Sequence, residues 1–281
     1  MAHVQKRAPG TYRVRYRDPN NTERSKTFKK KCDADRFAAT VETDMARGAW
    51  GSPDRGRKLF SEYAAIWLST LDCKPKTRAG YESILGQWIF PTFGNQPVEK
   101  ISWSTIERFK AEMSNAGRSP QTVKNALNVL RPILDLAVRD GALVVSPAQD
   151  VKSPKVTASS VAKFESAEVI AALAATMDKE SGLLVLFAAF TGLRAGECAA
   201  LRVGDLNLLR GRLTVRQSVS EVHGKTVFTT TKNHRTRSVS IPAFLRDLLV
   251  KHLEGRGAAR DQTALVFTSP NGSVLRHSNF Y

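Results

Sequence analysis

The sequence predicts a multidomain α+β protein: a small N-terminal β-sheet backed by one helix, an all-α domain, and a mixed α/β domain. Three observations carry that reading. TYRVRYR at 11–17 alternates with period 2, and four segments between 58 and 141 repeat their apolar residues at helical spacing. After 160, helical stripes and β-rich runs are interleaved. Two polar stretches containing Pro and Gly, GSPDRGRK (51–58) and SPAQDVKSPKVTASS (146–160), punctuate the chain. The expected boundaries are therefore 1–57, 58–155 and 160–281.

In the first piece, Tyr12, Val14 and Tyr16 fall on one face of a strand and Arg13, Arg15 and Arg17 on the other. DPNN (18–21) is turn chemistry, and ERSKTFKKK (23–31) is a return strand. DADRFAATVETDMARG (33–48) has an Asp N-cap, a Phe37–Val41–Met45 stripe and a closing Gly48, which predicts a helix.

The second piece predicts helices over 58–71, 77–94, 105–117 and 122–141. Thr77, Ser104 and Ser119 or Thr122 are candidate caps, Gly94, Gly117 and Gly141 candidate stops, and Pro132 is expected to kink the last helix. Trp67, Tyr81, Trp88, Phe90 and Phe93 lie on apolar helical faces and read as core.

The third piece predicts helices at 166–178, 182–190, 195–201 and 243–254. Strands are expected at 212–218, 226–231 and 237–242, with turns at HGK (223–225) and KNHR (232–235). ALVFTS (264–269) reads as extended, and SVLRHSNFY (273–281) as the start of a helix.

Charge narrows the function. The chain has 43 Lys and Arg against 26 Asp and Glu, a net charge of +17. Residues 1–58 hold 15 of the cations and 7 of the acids, so the first fifth of the chain carries almost half of the excess. Such an excess points to a polyanionic partner, nucleic acid or an anionic membrane surface. The longest uninterrupted apolar run is LLVLFAAF (183–190), far short of a membrane span, and MAHVQKRAPG lacks the apolar segment of a signal peptide. A cytoplasmic nucleic-acid binder is the expectation. Cys32, Cys73 and Cys198 are widely spaced and odd in number, and the 5 His show no ligand spacing, so neither a disulfide framework nor a metal site is expected.

Three motifs carry chemistry. TGLRAGE (191–197) sets Arg194 directly after a strongly apolar helix. Arg194 and Glu197 could form an ordinary i,i+3 pair, or Glu197 could hold a guanidinium ready for a phosphate. TKNHRTRSV (231–239) places Lys232 at a hairpin tip, where a lysine serves solubility or swings into a site as a proton donor. The Arg13–Arg15–Arg17 face and the Lys29–Lys30–Lys31 run fit contact with a DNA backbone or groove, against the plainer reading of a solvated face. Lys76, Arg78 and Lys124 on the helical piece are further candidate DNA contacts.

Together these motifs resemble the tyrosine recombinases, specifically the phage-type integrases. TGLRAGECAALRVGDL (191–206) looks like that family's first catalytic box, and TTKNHRTRSVSIP (230–242) like its lysine hairpin. Thr77 and Tyr81, PTFG (91–94) and DLAVRDGALVVSPA (135–148) are similar to its core-binding domain, and the first piece resembles its arm-type DNA-binding module. The resemblance implies a catalytic domain over 160–281 and site-specific DNA recombination. A tyrosine attacks a phosphodiester of double-stranded DNA at an attachment site, and the 3′-phosphotyrosine link is later reversed. No metal or nucleotide cofactor is implied, because one phosphodiester replaces another. Arg194 maps onto the first catalytic arginine and Lys232 onto the lysine that protonates the departing 5′ oxygen. Glu197 holds Arg194 from behind.

The family's second box, His-x-x-Arg, its further His or Trp and its nucleophilic Tyr are expected beyond Tyr281. His277 has Phe280 where that box needs Arg, and Tyr281 follows Arg194 without an intervening second arginine box. The catalytic domain is thus expected to be C-terminally incomplete, and the chain to bind DNA without cleaving it. A complete chain is expected to form tetramers on DNA. The alternative is a non-catalytic DNA-binding protein that occupies the same attachment sites.

Overall fold

The computed structural model describes residues 2–18, 21–46, 56–157, 166–231 and 235–276. The chain divides into two compact units, residues 1–73 with 80–157 and residues 74–79 with 158–281.

The first unit contains two separate cores. Strands β1 (His3–Ala8), β2 (Thr11–Arg17) and β3 (Glu23–Phe28) form an antiparallel sheet in the order β1-β2-β3. Helix α1 (Lys31–Ala46) covers one face, burying Ala34, Ala38 and Val41 against Val14 and Tyr16. The helix begins two residues before Asp33, so Asp33 lies in its first turn and is not the cap. Gly48 lies outside the described residues.

Helices α2 (Phe60–Thr70), α4 (Trp103–Asn115) and α5 (Pro120–Arg139), with the segment Leu85–Gly94 that continues α3 (Pro75–Ile84), supply the second core. It centres on Phe60, Tyr63, Ile89, Phe93, Ile106, Leu130 and Ile133. Thr77 does not cap α3, because Pro75 opens that helix with a φ already suited to a first turn. Ser102, not Ser104, caps α4 and accepts from the Thr105 N–H at 3.3 Å; the helix starts one residue later, at Trp103. Ser119 caps α5 as expected, with Pro120 behind it, and α5 runs on through Pro132 to Arg139. Gly117 and Gly141 follow α4 and α5 with φ of 72° each.

Beyond Ile84 the predicted α-helix becomes π-helical over Leu85–Gly94. Pro91 lies inside that segment and supplies no N–H, and widened turns occur where the α-helical ladder is interrupted. The altered phase leaves Phe90 exposed, whereas Phe93 is buried and Trp67, Tyr81 and Trp88 are partly so. The polar stretch after α5 is also not free linker at its start. Ala148 and Val151 are buried in the helical core, and Arg131 donates to the Val151 carbonyl at 2.6 Å and the Ser153 hydroxyl at 3.2 Å.

In the second unit, Ser166 and Asp178 cap α6 (Ala167–Ala175) and α7 (Lys179–Thr191). Gly182 lets them approach: a Cβ there would sit 2.5 Å from the Ala174 carbonyl. After α8 (Ala195–Ala200) come β4 (Leu206–Asn207), β5 (Arg212–Val215), β6 (Gln217–Val222), β7 (Lys225–Thr230), β8 (Arg237–Ser240) and α9 (Ala243–Gly255). The run predicted as one strand over 212–218 breaks at Arg216. Its first part joins a sheet ordered β4-β5-β8, and β6 pairs with β7 in a separate ribbon. His223 and Gly224 turn that ribbon with φ of 48° and 72°, the backbone of a two-residue hairpin with both central residues left-handed. Residues 264–269 form no strand, only isolated bridges such as Arg202 to Leu265 and Thr268 to Val274, and 273–276 are not helical. Phe187, Leu213, Leu245, Leu249, Val266 and Phe267 fill the core. Among the described residues, no helix is long and apolar enough to cross a membrane.

Candidate functional site

The site is built on the turn between α7 and α8. The apolar face of α7 buries Leu183 and Phe187, which fixes the helix against the core. Thr191 closes it, its hydroxyl donating to the Phe187 carbonyl at 2.5 Å. Gly192 then takes φ 65°, a conformation open to glycine at little cost, and reverses the chain. Leu193 is buried, and Arg194 becomes the residue at the head of α8, with extended φ and ψ of −72° and 152°. Glu197 lands one turn on, inside the protein.

Glu197 is the centre of the arrangement, with its side chain 1% exposed. Its Oε2 accepts from the Arg194 backbone N–H at 2.9 Å and from Arg237 Nη2 at 2.6 Å. Its Oε1 accepts from Arg194 Nη1 at 3.1 Å and from Arg237 Nη1 at 2.9 Å. A buried carboxylate is costly unless paired and hydrogen-bonded, and here both oxygens are used twice. The fork from Arg237, foremost, together with the contacts from Arg194, holds the Glu197 carboxyl down from its ordinary 4.5 to about 2, against the opposing effect of burial. The same pairing raises the Arg237 pKa. Burial, with the Glu197 charge beside it, pushes the Cys198 thiol up to about 12, so that thiol is inert while the fold is closed.

The two arginines differ in what they leave free. The Arg194 side chain is 61% exposed, the Arg237 side chain 37%. One buried anion thus anchors two cations, and the group retains a net positive charge on the solvent side. That arrangement suits an anion with several oxygens, such as a phosphodiester.

Gly196 brings the β6–β7 ribbon against α8. A Cβ there would sit 2.4 Å from the Val219 carbonyl oxygen and 2.7 Å from the Ser218 hydroxyl, so only glycine fits without movement. The glycine of the Ala-Gly-Glu triplet is therefore a packing requirement.

Arg237 was not among the residues singled out from the sequence. It stands five residues after Lys232 in a run of basic residues, where one arginine is indistinguishable from its neighbours. The signal that finds it is three-dimensional: β8 pairs with β5, and Val215 faces Arg237 across the ladder. Lys232 itself, the remainder of its predicted turn to residue 234, and Tyr281 lie outside the described residues.

The expected DNA-contacting residues fall in several places. Arg13, Arg15 and Arg17 share the sheet face opposite α1, with Ser25 and Thr27 of β3 beside them on the same face. Arg13 donates to the Ser25 hydroxyl at 2.8 Å, Arg15 lies 3.7 Å from Glu23, and Arg17 donates to Asn21 at 3.0 Å. Lys29, Lys30 and Lys31 are exposed at the turn into α1. Lys76 is exposed and Arg78 half-buried on α3, and Lys124 is exposed on α5. Among the described residues, no group of three or more His, Cys, Asp and Glu is placed to hold a metal ion.

Residues 59–114 match the family described as phage integrase, N-terminal SAM-like domain, and residues 161–281 match the phage integrase family. A Mycobacterium tuberculosis protein named as the prophage phiRv2 integrase is 29% identical over 253 residues, covering 88% of this chain and 66% of its own length. The integrase of Mycobacterium phage L5 is 25% identical over 265 residues, covering 90% of this chain and 70% of its own. The chain therefore spans about two thirds of the length of these relatives. Among solved structures, the Tn1549 transposon integrase in complex with transposon right end DNA superposes with a TM-score of 0.68 at 16% identity, over 79% of this chain and 75% of its own. The lambda integrase dimer bound to a COC′ core site gives 0.61 at 18% identity, over 99% of this chain and 77% of its own. At these identities the structures show the shared fold.

Proposed function

The chain belongs to the phage integrase family of tyrosine recombinases, and on that premise we propose that it acts in site-specific DNA recombination, with Arg194 as a ligand of the scissile phosphate. The observation that carries the reading is the buried Glu197 holding an Arg194 whose guanidinium remains mostly exposed. A salt bridge serving stability alone gives no reason to bury the acid and expose the base. An arginine presented to a phosphate needs its back held and its front free.

Negative charge gathers on the phosphorus oxygens as a tyrosine attacks a phosphodiester, and a planar cation already in place stabilises that charge without reorganising. Glu197 is the residue that keeps Arg194 in place. Lys232 is assigned, by its position in the lysine hairpin, as the proton donor to the departing 5′ oxygen. The partner is double-stranded DNA at attachment sites, the site of action the cytoplasmic nucleoid, and the working assembly a tetramer on DNA. The Arg13–Arg15–Arg17 face and Lys29–Lys31 supply backbone contacts away from the reacting phosphate, as do Lys76, Arg78 and Lys124. The three pieces 1–57, 58–155 and 160–281 then serve as arm-type module, core-binding domain and catalytic domain.

The polypeptide of residues 1–281 supplies one catalytic arginine box and is expected to bind DNA without forming a phosphotyrosine. Incubation with a nicked suicide duplex separates the two activities: retarded but non-covalent DNA is the expected result for this polypeptide, and a covalent protein–DNA band would refute that expectation. Deleting residues 1–58 should lower the dependence of binding on salt, and an unchanged salt slope would sink the assignment of the N-terminal arginine face.

A further inference from the structure

We propose that Arg237 is a positioning residue for Arg194: its fork on the shared Glu197 carboxylate sets the orientation of Arg194 and leaves Arg194's charge available to a phosphate. The proposal rests on the reading of Arg194 as a phosphate ligand.

Two features of the geometry carry it. The first is the hydrogen-bond pattern. Arg194 binds Glu197 through its own backbone N–H and through a single guanidinium nitrogen, Nη1, at 3.1 Å. One side-chain contact does not define the plane of a guanidinium. Arg237 meets both carboxylate oxygens, at 2.9 and 2.6 Å, and a two-point contact does define the plane of a carboxylate. With that plane fixed, Oε1 is aimed at Arg194 Nη1. Without it the carboxylate can rotate about its last bond, and the exposed Arg194 guanidinium rotates with it. The scaffold is suited to the task, because Arg237 lies on β8 in register with Val215 of β5, next to residues whose backbone is fixed by a ladder.

The second feature is charge. Glu197 alone with Arg194 would make a neutral pair, and the field at the exposed end of Arg194 would fall accordingly. Arg237 shares the same carboxylate and restores one net positive charge to the group. A phosphate approaching the 61%-exposed Arg194 therefore meets a cation that its own counter-ion has not neutralised. Arg237 does this from behind, with both Nη atoms engaged on Glu197.

A double-mutant cycle tests the proposal. Binding of residues 1–281 to a short fluorescent nicked duplex is measured by anisotropy for the parent, Arg194→Ala, Arg237→Gln and the double variant. In the parent, Arg194→Ala should weaken binding about tenfold, the scale of one good charge-assisted contact. In the Arg237→Gln background the same change should cost less than about twofold, because Arg194 is no longer held or unneutralised. Arg237→Lys, which keeps the charge but loses the fork, should give an intermediate factor. Equal Arg194→Ala factors in the parent and Arg237→Gln backgrounds would overturn the proposal and leave the function standing. Full recovery of the parental factor by Arg237→Lys would overturn the orienting role of the fork. An Arg194→Ala variant that binds as tightly as the parent would overturn the function itself. Protection of Cys198 from thiol reagents establishes that each variant is folded around the site. Should Arg237→Gln fail that check, the cycle is read with Arg237→Lys, where a factor equal to the parental one overturns the proposal.

Discussion

Replacing Glu197 by Gln should destabilise the second unit by about 3 kcal/mol at neutral pH, and two routes lead to that figure. The first counts contacts. Each carboxylate oxygen takes one bond from Arg194 and one from Arg237, so a Gln amide turns one oxygen into an N–H₂ facing two donors. Breaking a buried pair in this way costs about 3–5 kcal/mol, and the partial exposure of both arginines puts this case at the lower end. The second route is linkage. A carboxyl at about 2 in the folded chain and near its ordinary 4.5 when unfolded is worth about 3 kcal/mol of stability while ionised. The sign follows from the depressed folded value. The stabilisation is complete above about pH 4.5 and is lost as pH falls toward 2, with roughly 1.4 kcal/mol gone by about pH 3.5. The difference between parent and Glu197→Gln should shrink over that interval.

The assay needs a probe in the right unit. All 4 Trp lie at or before position 103, so their fluorescence reports other parts of the chain. Cys198 is buried beside Glu197, with its thiol pushed up to about 12, and becomes reactive only when this unit opens. Pulse labelling of Cys198 along a urea series with a pyridyl disulfide, which stays reactive toward thiols in acid, read by mass spectrometry under acid conditions, gives the stability of the unit itself. Equal labelling midpoints for parent and variant at neutral pH would refute the reasoning. So would a difference that stays constant from neutral pH down to about 3.5.

Gly196→Ala should cost about 1–3 kcal/mol in the same assay, because its Cβ meets the Val219 carbonyl. Gly192→Ala, with φ 65° and no atom near its Cβ position, should cost about 1 kcal/mol from backbone strain alone. Neutralising Arg13, Arg15 and Arg17 together should lower the salt slope of DNA binding by up to about three, measured by anisotropy against salt, while Cys198 protection stays unchanged. Ile133→Ala, at the centre of the helical core, should cost about 2–5 kcal/mol, and tryptophan fluorescence during urea unfolding should register it. An Ile133→Ala midpoint matching the parent would show that α5 does not pack as described.

Much of the fold is written in local pattern. The alternation of TYRVRYR put Val14 and Tyr16 against a helix and the arginines on the far face, and the sheet has that arrangement. The stripes of α2, α4, α5, α7 and α9 gave elements at nearly the expected places, because burial of one face selects the 3.6-residue period. Ends were less legible. Whether Ser102 or Ser104 caps α4 turns on a single residue of phase, and the passage from α to π geometry after Ile84 leaves no mark on the apolar stripe.

The site divides in the same way. Arg194 and Glu197 are three residues apart on one helical turn, so their pairing is a local consequence of the chain's own geometry and is legible in TGLRAGE. Arg237 is 40 residues from Glu197, and no periodicity connects them. Their meeting depends on β8 pairing with β5 while β6 and β7 fold away as a ribbon against α8, with Gly196 permitting the approach. Strand pairing is chosen by which surfaces can be buried together across the whole unit, and a sequence states only which residues want burial. The sequence by itself therefore determined the exposed cation and its local acid. Tertiary structure decided that the acid is shared, because only packing between distant segments brings a second guanidinium to the same two oxygens.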